Sequence, residues 1–410
     1  LTELKAAFQG REAFVERSGY RLLPFRFNAI GNRYVLTNDV GEYVLLSPRD
    51  LTDFVEHRLT PATPVYRELA AKHFLMPGRS RVAVDLLALK YRTRVDRIAE
   101  FTALHLFVVT LRCDHSCHYC QVSRQAEGTT NFDMSATHVS TSLDGPKDLH
   151  DEQRPLRSGS SYESVVNAIA TARRELGPHA VSALMTTTPA SLGRVEEIVD
   201  EYVRLGFHSI FLRSLSPYGF AAKSLVRRYG VSDWVSFYTR GLRRVLDLAQ
   251  AGHPIREEYT AILLAKMFSP MAPGYVDLQS PAGIGIGAIV YNYDGSVYAS
   301  DEGRMLAEMG DTSFRLGHLD VDDYASMMTS EALLGPLEAT VLESAPKCTD
   351  CAFLPYCGSD PVFHRATQHD WVGHKEFSAF CEKQTSVLEF LVQTLEDSAA
   401  DRETLLGWVR

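Results

Sequence analysis

Short apolar, β-branched runs alternate along this chain with longer stretches whose apolar positions recur at helical spacing, the pattern of a parallel α/β protein. Strand-like runs cover 106–110, 139–142, 181–187 and 209–213, and helical periodicity covers 162–176, 195–205 and 232–251. That order predicts a partial TIM-like barrel with its chemistry at the carboxyl ends of the strands. Ahead of it, 25–29, 33–37 and 42–46 read as short strands and 48–59 and 65–74 as helices, forming a unit of their own over 1–80. Met76-Pro-Gly-Arg-Ser80 punctuates the boundary, and 81–105 reads as a mostly helical linker to a barrel over 106–270. In the remaining domain, 271–410, Tyr291-Asn-Tyr-Asp-Gly-Ser-Val-Tyr298 predicts a β-hairpin turning on Asp-Gly.

Composition narrows the function classes. With 410 residues and 45% hydrophobic content the chain can bury more than one core. The 42 basic against 51 acidic residues leave a formal charge of −9, so there is no global electrostatic case for nucleic acid or an anionic membrane surface. The absence of a long apolar run and of a signal-peptide pattern at the start predicts a cytoplasmic protein with no membrane partner.

Seven cysteines fall into two groups. Cys113, Cys117 and Cys120 form a CxxxCxxC cluster directly after the strand-like run 106–110. Three thiolates can hold three irons of a [4Fe-4S] cube and leave the fourth iron open to a substrate. A zinc knuckle completed by His115 or His118, or buried free thiols, are the plainer readings, and zinc fits the trio less well because it takes four ligands. Cys348, Cys351, Cys357 and Cys381 supply four thiolates, enough for a closed cluster or a structural zinc. Between the groups, Ser140-Thr-Ser142-Leu-Asp144-Gly-Pro146 reads as a strand ending in a polar turn, with Arg154 soon after.

The spacing of the first cysteines, with Tyr119 before the last of them, resembles the signature of radical S-adenosylmethionine (radical SAM) enzymes. Cys348 to Cys357 resembles the C-terminal SPASM domain, which carries auxiliary clusters in peptide-modifying members. The text as a whole, including Asn38-Asp-Val-Gly-Glu-Tyr-Val-Leu-Leu-Ser47 and Arg204-Leu-Gly-Phe-His-Ser-Ile-Phe-Leu-Arg213, resembles the His-Xaa-Ser system radical SAM maturases. The resemblance implies a (β/α)6 radical SAM barrel, an N-terminal winged-helix-like domain that docks a precursor's leader, and a SPASM-like C-terminal domain. It implies a SAM-binding [4Fe-4S] cluster on Cys113, Cys117 and Cys120, and SAM contacts from Tyr119, Ser142, Asp144 and Arg154, the last to the SAM carboxylate. It implies an auxiliary cluster on Cys348, Cys351, Cys357 and Cys381. A second auxiliary position should be metal-free, since Pro361 and Ser300 stand where full members have cysteine. Asp301 matches the aspartate thought to take up a substrate proton in sulfatase-maturing relatives. The implied activity is crosslinking of side chains in a ribosomal precursor peptide bearing His-Xaa-Ser repeats, with a flavodoxin or ferredoxin as reductant. Epimerisation, thioether formation and sulfatase-maturing oxidation use the same machinery.

One departure stands out. After the cluster loop such a barrel continues through two further strands, the first ending in a Gly-Gly-Glu-type motif. Here the text passes from 121 to 141 almost at once, and Gly-Gly-Glu occurs nowhere. The reading favoured is an internal segment omitted near 135–138, because a barrel missing its middle exposes open sheet edges. If the chain is contiguous there, the expectation becomes a non-catalytic peptide-binding scaffold.

Overall fold

The computed structural model describes residues 19–78, 80–99, 102, 104–109, 111, 113, 115–121, 138–223, 229–270 and 274–409. The chain divides into two compact units, one of residues 1–96 with 350–355 and one of 97–349 with 356–410.

In the first unit, strands Arg26–Ile30, Arg33–Thr37 and Tyr43–Leu46 form an antiparallel meander. Helices Pro48–Val55 and Pro64–Ala71 follow, each opened by proline in the first turn and capped by a hydroxyl, Ser47 on Asp50 N and Thr63 on Tyr66 N. Leu36, Val44, Leu46, Phe54, Leu69 and Phe74 fill the core. The helix Val82–Val95, in the stretch read as linker, buries none of its own side chains yet belongs to this unit. Lys90 pairs with Glu42 at 2.5 Å, and Arg94 donates to the carbonyls of Val40 at 2.9 Å and Pro355 at 2.6 Å. Asn28 and Thr37 likewise hold the backbone of Ala352.

The second unit is built on parallel strands. Val139–Ser142 pairs with Val181–Thr186, which pairs in turn with Leu212–Arg213, and Ser209–Ile210 pairs with Arg256–Glu257. The run predicted at 209–213 thus serves two ladders, changing partner at Phe211. Amphipathic helices cover this sheet. Val195–Arg204 buries Val195, Ile198, Val199 and Tyr202 at i, i+3, i+4 and i+7, and Val231–Gln250 buries Trp234, Phe237, Tyr238, Gly241 and Leu242. Gly241 is where the long helix approaches most closely: a Cβ there would stand 2.6 Å from both Leu212 and Val195.

The strand before the first cysteines, Leu104–Phe107, does not join these ladders among the described residues. It pairs in parallel with Ala288–Tyr291, which forms the predicted hairpin with Ser296–Tyr298, and Arg315–His318 completes a four-stranded sheet. Among the described residues the parallel strands do not close into a six-stranded barrel, and Leu104–Phe107 and Val139–Ser142 are both sheet edges. Most of the segment between them, including the junction predicted to omit part of the barrel, lies outside the described residues.

Candidate functional site

Cys113, Cys117, Tyr119, Cys120, Ser142 and Arg154 line one cavity of about 510 Å³, with His115, Thr141, His150 and Thr186 beside them. Ser142 and Thr186 are the last residues of two parallel strands, so the cavity lies at the carboxyl ends, where α/β folds place ligands. The cysteine loop is pinned at two points: Ser116 N donates to Pro155 O at 3.1 Å, and Phe220 N donates to Cys120 O at 2.8 Å. Gly219 makes the second contact possible. Its φ is +61°, and a Cβ would stand 2.5 Å from Cys120 O and 2.7 Å from Gln121 O. Gly219→Ala is therefore expected to push the loop off its support at a cost of about 1–3 kcal/mol, read as a lower thermal midpoint and a lower iron content after reconstitution.

Asp144 organises the site from behind. Its side chain is fully buried, and it is not among the groups lining the cavity. One carboxylate oxygen accepts from Tyr119 Oη and from Arg154 Nε, each at 2.6 Å; the other accepts from Arg154 Nη2 and from Thr186 N, each at 3.1 Å. Burial works against the charge of Arg154, but Asp144 more than offsets it and holds the guanidinium above its ordinary pKa. Burial and the neighbouring Asp144 push the Tyr119 phenol up. Asp144 N donates to His150 Nδ1 at 3.1 Å, which leaves the His150 proton on Nε2, and burial lowers the imidazole to about 4, so the ring is neutral. Asp144, expected to line the SAM pocket, is thus turned away from the cavity toward Arg154, which does line it.

The three thiols feel one another across the cavity. Burial raises Cys117 to about 11; Arg154 opposes this, and Asp144, Cys120 and Cys113 add to it. Among the described residues no three His, Cys, Asp or Glu side chains converge as ligands of a single ion. The donor set, three soft thiols beside a fixed guanidinium, fits a [4Fe-4S] cluster that keeps one iron open to a ligand bearing a carboxylate.

In the second cysteine group, burial raises the thiols of Cys348 and Cys381; Cys381 adds to the shift at Cys348, while Lys375 and Lys347 oppose it at both. Cys357 O accepts from Lys266 Nζ. Cys351 lies in the stretch 350–355 grouped with the N-terminal unit. The two positions without cysteine both open helices: Ser300 caps Asp301–Ala307 by accepting from Gly303 N at 3.1 Å, and Pro361 is the first residue of Pro361–Gln368.

Asp301, expected to take up a proton, is held by Arg304, whose Nε donates to Asp301 Oδ1 at 2.8 Å. Its neighbour Glu302 instead lines a second, smaller cavity of about 80 Å³ together with Asp277, Asp360, Arg213 and Lys383. Nothing local in the sequence marked this group, since its members come from five separate segments; their only signal was closeness to Asp301, Cys357 and Cys381. Burial first, then repulsion from Asp277 at Glu302 and from Asp360 at Asp277, lifts Glu302 and Asp277 to about 7. Burial also lifts Asp360 to about 6, against the hydrogen bond from Phe363 N. These values stand above the ordinary carboxyl range near 4. The stability these groups contribute is therefore complete below about pH 4 and is lost as pH rises through about 6 to 7. Glu302, which faces Asp277, Asp301 and Arg213, supplies one share of that loss. The thermal midpoint is expected to drop between about pH 5 and about pH 8, and Glu302→Gln is expected to shrink the drop; an equal drop in the variant would place the titration elsewhere.

No protein-family model matches the chain, and no curated protein matches it. Among solved structures, native anSMEcpe with bound AdoMet aligns with 66% of this chain and 67% of its own, at 15% identity and a TM-score of 0.50. The same protein with bound AdoMet and Cp18Cys peptide aligns with 64% of this chain and 69% of its own, at 14% identity and a TM-score of 0.51. At these identities the likeness shows a fold in common. Among the described residues no helix is long and apolar enough to cross a membrane.

Proposed function

We propose that this chain is a radical SAM enzyme that modifies a ribosomally made peptide. The observation that carries this reading is the gathering of Cys113, Cys117 and Cys120 with an Asp144-fixed Arg154 around one cavity at the ends of parallel strands. The shared fold with a protein whose structures hold AdoMet and a peptide supports it. When bound, the cluster and SAM supply a one-electron cleavage of the sulfonium that yields methionine and a hydrogen-abstracting 5′-deoxyadenosyl radical.

The chain's own residues hold and shield. Arg154, with Nε and Nη2 committed to Asp144, is locked in orientation and offers its remaining edge to the SAM carboxylate. Ser142 and Thr186 sit at strand ends where they can bond the rest of the ligand. Tyr119 buttresses Arg154, whose guanidinium lies 5.4 Å from the centre of its ring. The sequence spacing of Cys348, Cys351, Cys357 and Cys381 supports an auxiliary cluster, and the conversion of Ser300 and Pro361 to helix-opening residues supports a metal-free second position. The finer reading is a side-chain crosslink in a precursor with His-Xaa-Ser repeats, its leader docked on the N-terminal unit and its electrons from a flavodoxin or ferredoxin. A crosslink loses two hydrogens, which separates it by mass from epimerisation.

The test is formation of 5′-deoxyadenosine from SAM by anaerobically reconstituted protein with dithionite. Product supports the enzyme. No product from protein with its full iron complement supports the second reading, a peptide-binding scaffold, which the missing Gly-Gly-Glu favours.

A further inference from the structure

The small acidic cavity has features that the SAM site does not use. Asp277 and Glu302 are half-buried in the second unit, and no other described residue donates a hydrogen bond to either carboxylate or pairs with it. A buried carboxylate without a partner is costly. Two further groups lining the cavity lack a hydrogen-bond partner among the described residues, Tyr218 Oη and Trp234 Nε1, although the residues are only 2% and 3% exposed. Lys383 donates over a long 3.4 Å to Ser214 Oγ and lies 5.8 Å and 5.7 Å from the ring centres of Trp234 and Phe380. Three carboxyls against the two cations Arg213 and Lys383 leave the cavity one positive charge short when all are ionised.

The cavity does not stand alone. Trp234, Phe363, Phe380 and Lys383 also line a larger chamber of about 550 Å³ whose other walls, including Leu215, Pro217, Ala221 and Met309, are mostly apolar. Leu215 and Ala221 are the residues against which Cys117, Tyr119 and Cys120 pack, so this chamber adjoins the back of the cysteine loop. An apolar chamber leading to an acidic end, beside the reaction centre, has the form of a side-chain pocket.

We propose that the two chambers receive an arginine side chain of the peptide substrate, its stem in the apolar chamber and its guanidinium among Asp277, Glu302 and Asp360. The inference rests on the reading of the chain as a peptide-modifying enzyme. The acidic groups do not converge on one point as metal ligands would, whereas a guanidinium carries five N–H donors spread around a plane and can serve separated acceptors. Tyr218 also lines this wall, and the rings of Tyr259 and Tyr275 beside it suit a flat cation.

The test is calorimetric titration of the full chain at about pH 8, where all three carboxyls are ionised, with N-acetyl-arginine amide and with its neutral isostere N-acetyl-citrulline amide. The arginine probe is expected to bind about tenfold or more tightly than citrulline, and Glu302→Gln and Asp277→Asn are each expected to erase that preference without lowering the thermal midpoint. Equal binding of the two probes, or a preference that survives both substitutions, overturns the proposal. So does a fall in thermal midpoint on Glu302→Gln, because it would mean that the carboxylate is already satisfied inside the fold. Binding needs no cluster, so a chain that cleaves SAM without preferring arginine loses this inference alone, and a chain that prefers arginine without cleaving SAM loses only the reading of it as an enzyme.

Discussion

Replacing Cys113, Cys117 and Cys120 together with alanine is expected to remove about four irons per chain and to reduce 5′-deoxyadenosine formation to the level without enzyme. The expectation is large because the proposal makes the three thiols the whole protein ligand set of the first cluster, and they line the same cavity as Arg154. Fold should survive: Cys113 is exposed and only Cys117 is buried, so the substitution leaves the strands and helices of the unit untouched. Iron analysis and circular dichroism on the same preparation separate the two effects. An iron content equal to wild type would place the cluster elsewhere.

The second large effect is expected at Asp144. Asparagine there keeps the size but removes the charge that faces Arg154, and one oxygen becomes an amide that cannot accept. A guanidinium that is itself largely buried would lose its partner, at a cost of about 3–5 kcal/mol. Tyr119 Oη and Thr186 N would compete for the acceptor that remains. Denaturation midpoint and SAM binding should fall together in Asp144→Asn, whereas Ser142→Ala, at the cavity wall, should weaken SAM binding with stability near wild type. A variant of Asp144 with normal stability and normal SAM affinity would show that Arg154 is fixed by something else.

These two sites differ in how far the sequence revealed them. The gathering of Cys113, Cys117 and Cys120 at one cavity was legible because they stand within eight residues, 113–120. Ser142 and Arg154 were singled out only by the family resemblance of the strand-end segment, and both line the same cavity. The role of Asp144 was not legible: its place next to Ser142 suggested a wall residue, and only the fold shows its carboxylate turned inward to Arg154, Tyr119 and Thr186. Asp301 and Glu302 make the point again. They are neighbours in a helix's first turn, and which one faces the cavity depends on helix phase and on Arg304, neither of which the local text specifies. Helices were read well where a buried face repeats over three turns, as in Val195–Arg204, and read too long where caps decide the end, as at Val55. Leu104–Phe107 and Val139–Ser142 are sheet edges among the described residues, and the junction expected to omit part of the barrel lies between them, outside those residues.

The central claim is that Cys113, Cys117 and Cys120 hold a cluster whose open iron binds SAM beside Arg154. Electron paramagnetic resonance of the dithionite-reduced, reconstituted protein tests it directly, recorded with and without SAM in a variant carrying Cys348→Ala, Cys351→Ala, Cys357→Ala and Cys381→Ala. The account predicts a reduced [4Fe-4S] signal whose g values shift when SAM is added, and a smaller shift in Arg154→Lys at the same SAM concentration. A [4Fe-4S] signal that SAM leaves unchanged would contradict it.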